Sequence, residues 1–550
     1  MAKNTGRKKT ESVAETLCSF NAFLCDLVIS IYMCVILLVL PLYNKGYAQI
    51  GTEKENFFIK CLTYGGKALL PVFLLWLLFG GIAAVQKKEL PKVREWPAKL
   101  WKSLSVTDRF AALYGIAVIL SYLFTNYREE AVWGTASWRM GMWTQLGSVI
   151  VYFMISRMWQ RKYWIVAFVL PVSAVVFSLG YVNKFGLFPI DPAYANPSFI
   201  STIGNINWYC GYLVTVLFGS VYLLWRMEPE MNWKKGILMA YVAVGFASLA
   251  TQGSSSGIVT LAVIMFLLFG MSVKDSARME CLWQEVCLFS GACLITYILR
   301  ALKVLPGDQL LEGMTEILTF SLCSIVMTVV SMMILYLIHR SRRKAHYSEE
   351  KIAVGYKVVC VGIVAMAAIL LLFITINTLL DGVFTANVTN ASIKNFLVFN
   401  KRWGSSRGAT WEAGMRCFLE ADLLHKLFGV GPDCMYIFLT AEGSSALQNM
   451  VYECFGAVRL TNAHNEWLTI LVDVGVLGVF SYAGMMVSAI RSMIREGENS
   501  PLIGACGVCV LAYTVNNMFS FQQVMNISTV FVILGIGGNL MRARRECLVR

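Results

Sequence analysis

The chain has 550 residues, 57% of them hydrophobic and only 15% charged. A water-soluble globule has too little polar surface to cover that much apolar side chain, so a soluble protein is excluded and an integral membrane protein is expected. The formal net charge of +14 falls mostly on one set of loops, which fits insertion signalling and attraction to anionic lipid, and no nucleic-acid partner is expected.

Windows of about 18 or more largely uncharged residues predict membrane helices. In chain order they fall at 22–42, 66–85, 108–125, 141–158, 164–182, 207–225, 236–251, 256–272, 282–299, 317–338, 355–379, 466–489, 501–517 and 524–541. The predicted fold class is an all-α polytopic membrane protein of about 12–14 transmembrane helices, because only a helix satisfies its own backbone in lipid without closing a barrel. Three parts follow: an N-terminal bundle over 1–380, a large polar loop over 381–465, and C-terminal spans over 466–550.

Alternate connections are basic: Lys3 to Lys9, Lys87 to Lys102, Arg157/Arg161/Lys162, Lys234/Lys235, Arg340 to Lys344, and Arg542/Arg544/Arg545. Counted over short loops, that face carries roughly 29 Lys and Arg against about 8 on the other, which places it and both termini in the cytoplasm. Residues 44–65, 126–140, 183–205, 252–255, 301–315 and the large loop are then outside. Met1 to Asn21 is polar and the first apolar run is long enough to span, so the first helix is expected to serve as its own insertion signal. Most of the 16 cysteines fall inside predicted helices, where they act as small apolar fillers. Cys417, Cys434 and Cys454 lie in the loop and offer one pairing, but no metal-ligand spacing exists and no metal or cofactor is expected.

No repeat of 20 to 50 residues is visible. Secondary transporters often carry paired, broken helices at matching positions and functional charges near the bilayer midplane. The missing repeat and the near absence of central charge in the helices weaken a transporter or flippase of a polar or lipid-linked solute, which is kept as the alternative to an enzyme.

Within the loop, Trp411, Met415, Phe418, Leu419, Leu423 and Leu427 recur at three- and four-residue spacing, predicting one amphipathic helix over 408–428. Arg416 and Glu420 fall four apart on its other face, Ser405 and Ser406 offer caps, and Gly429-Val430-Gly431-Pro432 ends it. Arg407 would stand at the helix N-terminus, where free N–H groups also favour an anion. A guanidinium there suits bidentate capture of phosphate, although an arginine also snorkels to lipid headgroups. Arg402, Arg416 and Arg459 share the loop as second phosphate contacts or as solvated surface.

Four histidines are present, and His464 alone lies at an outer helix start. In a first turn the dipole disfavours imidazolium, leaving a neutral ring able to accept a proton. The plainer reading is an interfacial histidine among Asn462, Asn465 and Glu466. His339 and His346 belong to a basic connection, and His425 to the polar side of the loop helix. Two further outer stretches, Ser201 to Trp208 and Thr251 to Gly257, read as turns and caps. Asn205 and Asn207 also present amides to which sugar hydroxyls can hydrogen-bond.

Gly204-Asn205-Ile206-Asn207 before a membrane helix, Arg407-x-x-x-Trp411 opening the loop, Phe428-Gly429-Val430-Gly431, and Ala463-His464-Asn465 with Gly475 and Gly478 resemble the O-antigen ligase and O-antigen polymerase superfamily. The resemblance covers roughly 200–490 and rests on the order, spacing and sidedness of these motifs. It implies a glycosyltransferase-C-like membrane body and a transferase using a glycan on undecaprenyl pyrophosphate. The acceptor is a hydroxyl of a glycan, lipid or protein, and neither a nucleotide sugar nor an obligatory metal is needed. By position, Arg407 would hold the pyrophosphate and His464 would activate the acceptor, with Trp411, Asn205, Asn207, Arg402, Arg416 and Asn465 around the substrate. Members of the superfamily often place a second arginine in the turn that here reads Gly253-Ser254-Ser255-Ser256-Gly257. Its absence leaves Arg402, Arg416 or Arg139 as replacements, or an altered donor.

Overall fold

The computed structural model describes all residues except 1–12, 47–49, 87–95, 137, 191–195, 197, 305–313, 345–346, 389–390 and 550. The basic residues Lys3 to Lys9 and Lys87 to Arg94, and His346, lie outside the described residues. The described residues are helical apart from turns and one small antiparallel ladder, in which Phe199 pairs with Asn205 and Ile200 with Gly204. This is an all-α polytopic membrane protein.

Among the described residues, eleven helices from Thr16–Val39 to Val524–Leu548 are apolar and long enough to cross a membrane. Met142–Met158, Trp233–Thr251 and Pro501–Asn516 occupy the three remaining predicted windows. Two boundaries differ from the sequence expectation. The second helix starts at Ile50, so most of the expected loop 44–65 is helical. Its polar residues are hidden by pairing: the buried Lys54 ammonium donates to the carbonyls of Leu40 and Pro41 at 2.7 and 3.3 Å, and the buried Glu55 takes Arg139 at 3.0 Å. The window 466–489 is two helices, Glu466–Asp473 and Gly475–Glu496, broken where Gly475 turns through φ +75°.

Ile206–Trp225 forms the central pole, with 17 of its 20 residues buried. It packs on Trp233–Thr251, Pro501–Asn516 and Val524–Val549, while Ile50–Ile82 and Glu349–Leu379 face outward along their apolar lengths. In lipid no hydrophobic gain accompanies helix contact, so close packing and hydrogen bonds between helices hold the bundle. Ser173 to Tyr241 at 2.8 Å, Trp225 Nε1 to Ser272 at 2.9 Å and Ser290 to Ser331 at 2.9 Å are such links.

One end of the bundle gathers ion pairs between basic connections and acids, most of them buried. Lys162 meets Asp26 at 2.7 Å, Arg157 and Arg542 share Asp108 at 3.1 and 3.6 Å, and Arg342 lies between Glu280 and Glu230 at 2.6 and 2.7 Å. We refer to it as the basic end, and to the opposite end, which carries residues 381–465, as the loop end.

The loop folds into short helices around a small core of Ala413, Cys417, Cys434, Met435 and Leu447 that also takes Ala131. The single helix expected over 408–428 is two, Trp403–Glu420 and Leu423–Phe428, because the Asp422 side chain caps the second by accepting the His425 N–H at 2.8 Å. His425, expected on a polar face, is buried beside that same carboxylate at 3.1 Å. Arg416 pairs with Glu412 at 2.7 Å rather than facing Glu420, which instead accepts the Ser444 N–H and hydroxyl, each at 2.9 Å. The large apolar stripe points outward, with Met415, Leu419 and Leu423 exposed, while the face of Ala409, Ala413 and Cys417 is fully buried. Small residues let this helix approach the bundle closely, and the stripe faces away from it. All 16 cysteines are free, so the pairing offered for Cys417, Cys434 and Cys454 does not occur.

Candidate active site

Two glycines fix the loop to the broken helix. The Val430 and Gly431 N–H groups donate to the carbonyls of Val472 and Asp473 at 2.9 and 3.1 Å. A Cβ at Gly429 would lie 2.2 Å from the Asp473 carbonyl oxygen, and one at Gly475 would lie 2.5 Å from the Gly429 nitrogen. The two segments therefore cross with no room for a side chain at either position, and the Gly-Val-Gly stretch is a docking element. The Asp473 carboxylate seals the crossing by accepting the Met435 N–H at 2.9 Å. Buried Asp433 ties in the 134–140 segment through the N–H groups of Thr135 and Met140 at 2.7 and 3.0 Å. Burial pushes that carboxyl up to about 7.

Arg407 follows a left-handed turn in which Gly404, Ser405 and Ser406 all have positive φ. The turn carries the guanidinium back onto main chain: Nη1 donates to the Gly404 carbonyl at 2.9 Å and Nε to the Phe519 carbonyl at 3.1 Å. No carboxylate pairs with it among the described residues. Carbonyl dipoles orient a guanidinium without cancelling its charge. Burial lowers Arg407 from its ordinary value, yet arginine stays cationic across physiological pH.

His464 sits one residue before the cap of Glu466–Asp473, at φ +48°. Side chains hold this strained position on both sides. Asn462 Oδ1 accepts the His464 N–H at 3.0 Å, and Asn465 Oδ1 caps the helix through the Leu468 N–H at 3.1 Å. Thr410, on the Arg407 helix, donates its hydroxyl to the Ala463 carbonyl at 3.0 Å. The imidazole packs edge-on against Phe521 at 5.0 Å, and neither ring nitrogen has a hydrogen-bond partner among the described residues. Burial, with Arg407 as the lesser cause, pushes its pKa down to about 4. The ring is thus neutral at pH 7, by desolvation and a neighbouring cation rather than by the helix dipole that the sequence suggested.

Arg407 and His464 therefore meet on one segment, the former on the Phe519 carbonyl and the latter on the Phe521 ring. Trp411 stacks on Phe519 at 6.4 Å and on Trp403 at 5.3 Å. With Asn465 and Trp467 it lines a cavity of about 650 Å³. On the other side, Phe521 meets Trp138 at 4.9 Å and Trp138 meets Trp208 at 5.2 Å, making an aromatic wall.

Asn205 and Asn207 join the same end by a different route. Asn205 Oδ1 caps its helix through the Asn207 N–H at 2.9 Å, and Asn207 accepts the Ser254 hydroxyl at 3.1 Å. Ser256, 2.8 Å from Ser254, donates to Asn516 at 2.8 Å, and Asn516 donates to Asn517 at 3.0 Å. Asn517 in turn donates to the Glu466 carboxylate. That carboxylate, fully inside, also accepts Tyr482, Tyr513 at 3.2 Å and Gln522 at 2.9 Å. A continuous polar seam thus links the Gly253–Gly257 turn to the helix that His464 precedes.

Of the candidates for a second cation, Arg139 is committed to Glu55 and Arg416 to Glu412, while Arg402 lies exposed before the left-handed turn. Lys184, buried and with partners of its own, also borders the Gly253 turn, its Nζ 3.2 Å from where a Cβ at Gly253 would stand. Sequence reasoning missed Lys184 and the role of Glu466, because their neighbours lie tens of residues away in the chain. A neutral imidazole and a carboxylate-free guanidinium on one segment are equipped to take a proton from a hydroxyl and to stabilise a departing anion.

Residues 310–483 match the model of the O-antigen ligase family. No curated protein matches the chain.

Proposed function

From the match of residues 310–483 to the O-antigen ligase family, we propose an enzyme that transfers a glycan from undecaprenyl pyrophosphate to an acceptor hydroxyl at the loop end of the bundle. The basic end faces the cytoplasm of a bacterial inner membrane, with both termini inside, and residues 381–465 form the extracytoplasmic loop.

His464 takes the proton from the acceptor hydroxyl, and the freed oxygen attacks the anomeric carbon. The bond between that carbon and the pyrophosphate oxygen breaks, and its electron pair leaves on the diphosphate. Arg407 stabilises that charge as it forms. A single displacement inverts the anomeric centre and needs no metal. Trp411 and Asn465 border the sugar path, and Asn205 and Asn207 hold the turn opposite.

The observation that carries this reading is a neutral imidazole on the Phe521 ring, its nitrogens without a partner among the described residues, beside a guanidinium held by the carbonyls of Gly404 and Phe519. Complementation of a deletion strain with His464→Ala and Arg407→Ala tests it. Both variants are expected to insert normally and to accumulate the lipid-linked intermediate; normal glycan transfer by both would remove the assignment.

A further inference from the structure

Two separate cavities lie along the helices Val13–Cys34, Ile50–Gln86 and Met142–Met158, one nearer the loop end and one at the basic end, and their chemistry differs. The first is an apolar cavity of about 580 Å³ lined by Val28, Tyr32, Leu70, Ile150 and Met154, with Trp143 toward the loop end. From Trp143 to Ile155 the helix rises about 18 Å, close to the roughly 15 Å hydrocarbon depth of one leaflet. At the basic end the same elements, with Val524–Val549, border a second cavity of about 250 Å³ lined by Arg157, Trp159, Arg161, Asn539, Arg542 and Glu546.

This second cavity holds buried polar atoms that the protein itself does not satisfy. Trp159 is 2% exposed and Asn539 6%, yet among the described residues Trp159 Nε1 and Asn539 Oδ1 have no hydrogen-bond partner, and neither has Arg542 Nε. Asn539 is held rigidly, since its Nδ2 donates to the carbonyls of Ile155 and Trp159 at 3.1 and 3.0 Å. Buried polar groups are normally paired, and each exception calls for a ligand or another cause. The charge balance points the same way. Asp108 is shared between Arg157 and Arg542, Arg161 is exposed at φ +60° without a carboxylate partner among the described residues, and Glu546 offsets one unit. The neighbouring Lys162 and Asp26 neutralise each other. Basic pockets between membrane helices favour anionic headgroups.

We propose that these two cavities together bind one anionic glycerophospholipid. Its phosphate sits among Arg161, Arg542 and Trp159 Nε1, a headgroup hydroxyl donates to Asn539 Oδ1, and an acyl chain lies along the apolar cavity. A glycerol headgroup supplies both the charge and the hydroxyl, which a choline headgroup lacks. The site is at the opposite end from His464 and does not depend on the transfer reaction.

Native mass spectrometry of the delipidated full chain, offered equal phosphatidylglycerol and phosphatidylcholine with matched chains, tests this. The expected result is one phosphatidylglycerol per chain, preferred about tenfold. Arg161→Ala, at an exposed residue whose side chain has no partner among the described residues, is expected to reduce the preference about fivefold. Trp159→Phe is expected to weaken the preference further, and Ile150→Trp to weaken retention of both lipids. Equal retention of the two lipids, or an undiminished preference in Arg161→Ala, would overturn the proposal. So would tighter retention of a polyprenyl phosphate at matched concentration, or Arg161-dependent binding of inorganic phosphate alone, which would reassign the site to a carrier lipid or to a free anion.

Discussion

At the basic end, Arg342 lies between Glu280 and Glu230, and His339 contacts Glu280 at 2.9 Å. At the loop end, Arg407 is held by two main-chain carbonyls and the His464 ring by a phenyl edge. The same residue types are thus neutralised within the protein in one place and left chemically open in the other. An arginine against a carboxylate serves folding and assembly. An arginine against carbonyls keeps its full charge for something that is not protein.

The contrast is broken most directly through the two histidines. His464→Ala is expected to lower the rate of glycan transfer by about 10²- to 10⁴-fold, whereas His339→Ala leaves it near wild type; equal losses measured in reconstituted membranes would abolish the distinction. For the arginines, Arg407→Ala is expected to cost about 10²- to 10³-fold in the same assay. Arg407→Lys should recover only part of this, because a point charge cannot reproduce a fork of donors. Arg342→Ala should lower thermal stability while transfer persists.

A third test leaves the reacting groups alone. Glu466→Leu strands two tyrosine hydroxyls and the amides of Asn517 and Gln522, and a loss of about 3 kcal/mol or more is expected. Unfolding at the wild-type temperature would show that this seam contributes little.

The smallest effect expected is on pH dependence. With His464 at about 4, the base is already neutral, so transfer should stay level from about pH 5.5 to 8 and fall only toward pH 4. Because the folded value lies below the unfolded one, the stability linked to this ring is complete above about pH 6.5 and is lost as pH drops toward 4. A rate that rises steeply between pH 6 and 7 would mean that the ring is solvated during turnover.

The spans were legible because fourteen apolar windows need only composition to be seen. The break at Asp473–Gly475 was not, since a glycine in an apolar run looks the same whether it continues a helix or turns through positive φ. For the loop helix, periodicity located the stripe of Met415, Leu419 and Leu423 without saying what it faces. The stripe is exposed, and the small residues opposite make the protein contact. His464 and Arg407 stood out as isolated chemistry-bearing residues beside helix ends. Their being brought onto residues 519–521 was invisible, because no local pattern links positions about a hundred and about fifty residues apart.

That segment has a mechanical consequence. The guanidinium hangs from the carbonyl of Phe519 and the imidazole leans on the ring of Phe521, so both ride one mount. Each group also has an anchor of its own, Arg407 on the Gly404 carbonyl and the His464 backbone on Asn462. A residue inserted between positions 519 and 521 is therefore expected to alter the spacing of guanidinium and imidazole while leaving each group individually intact.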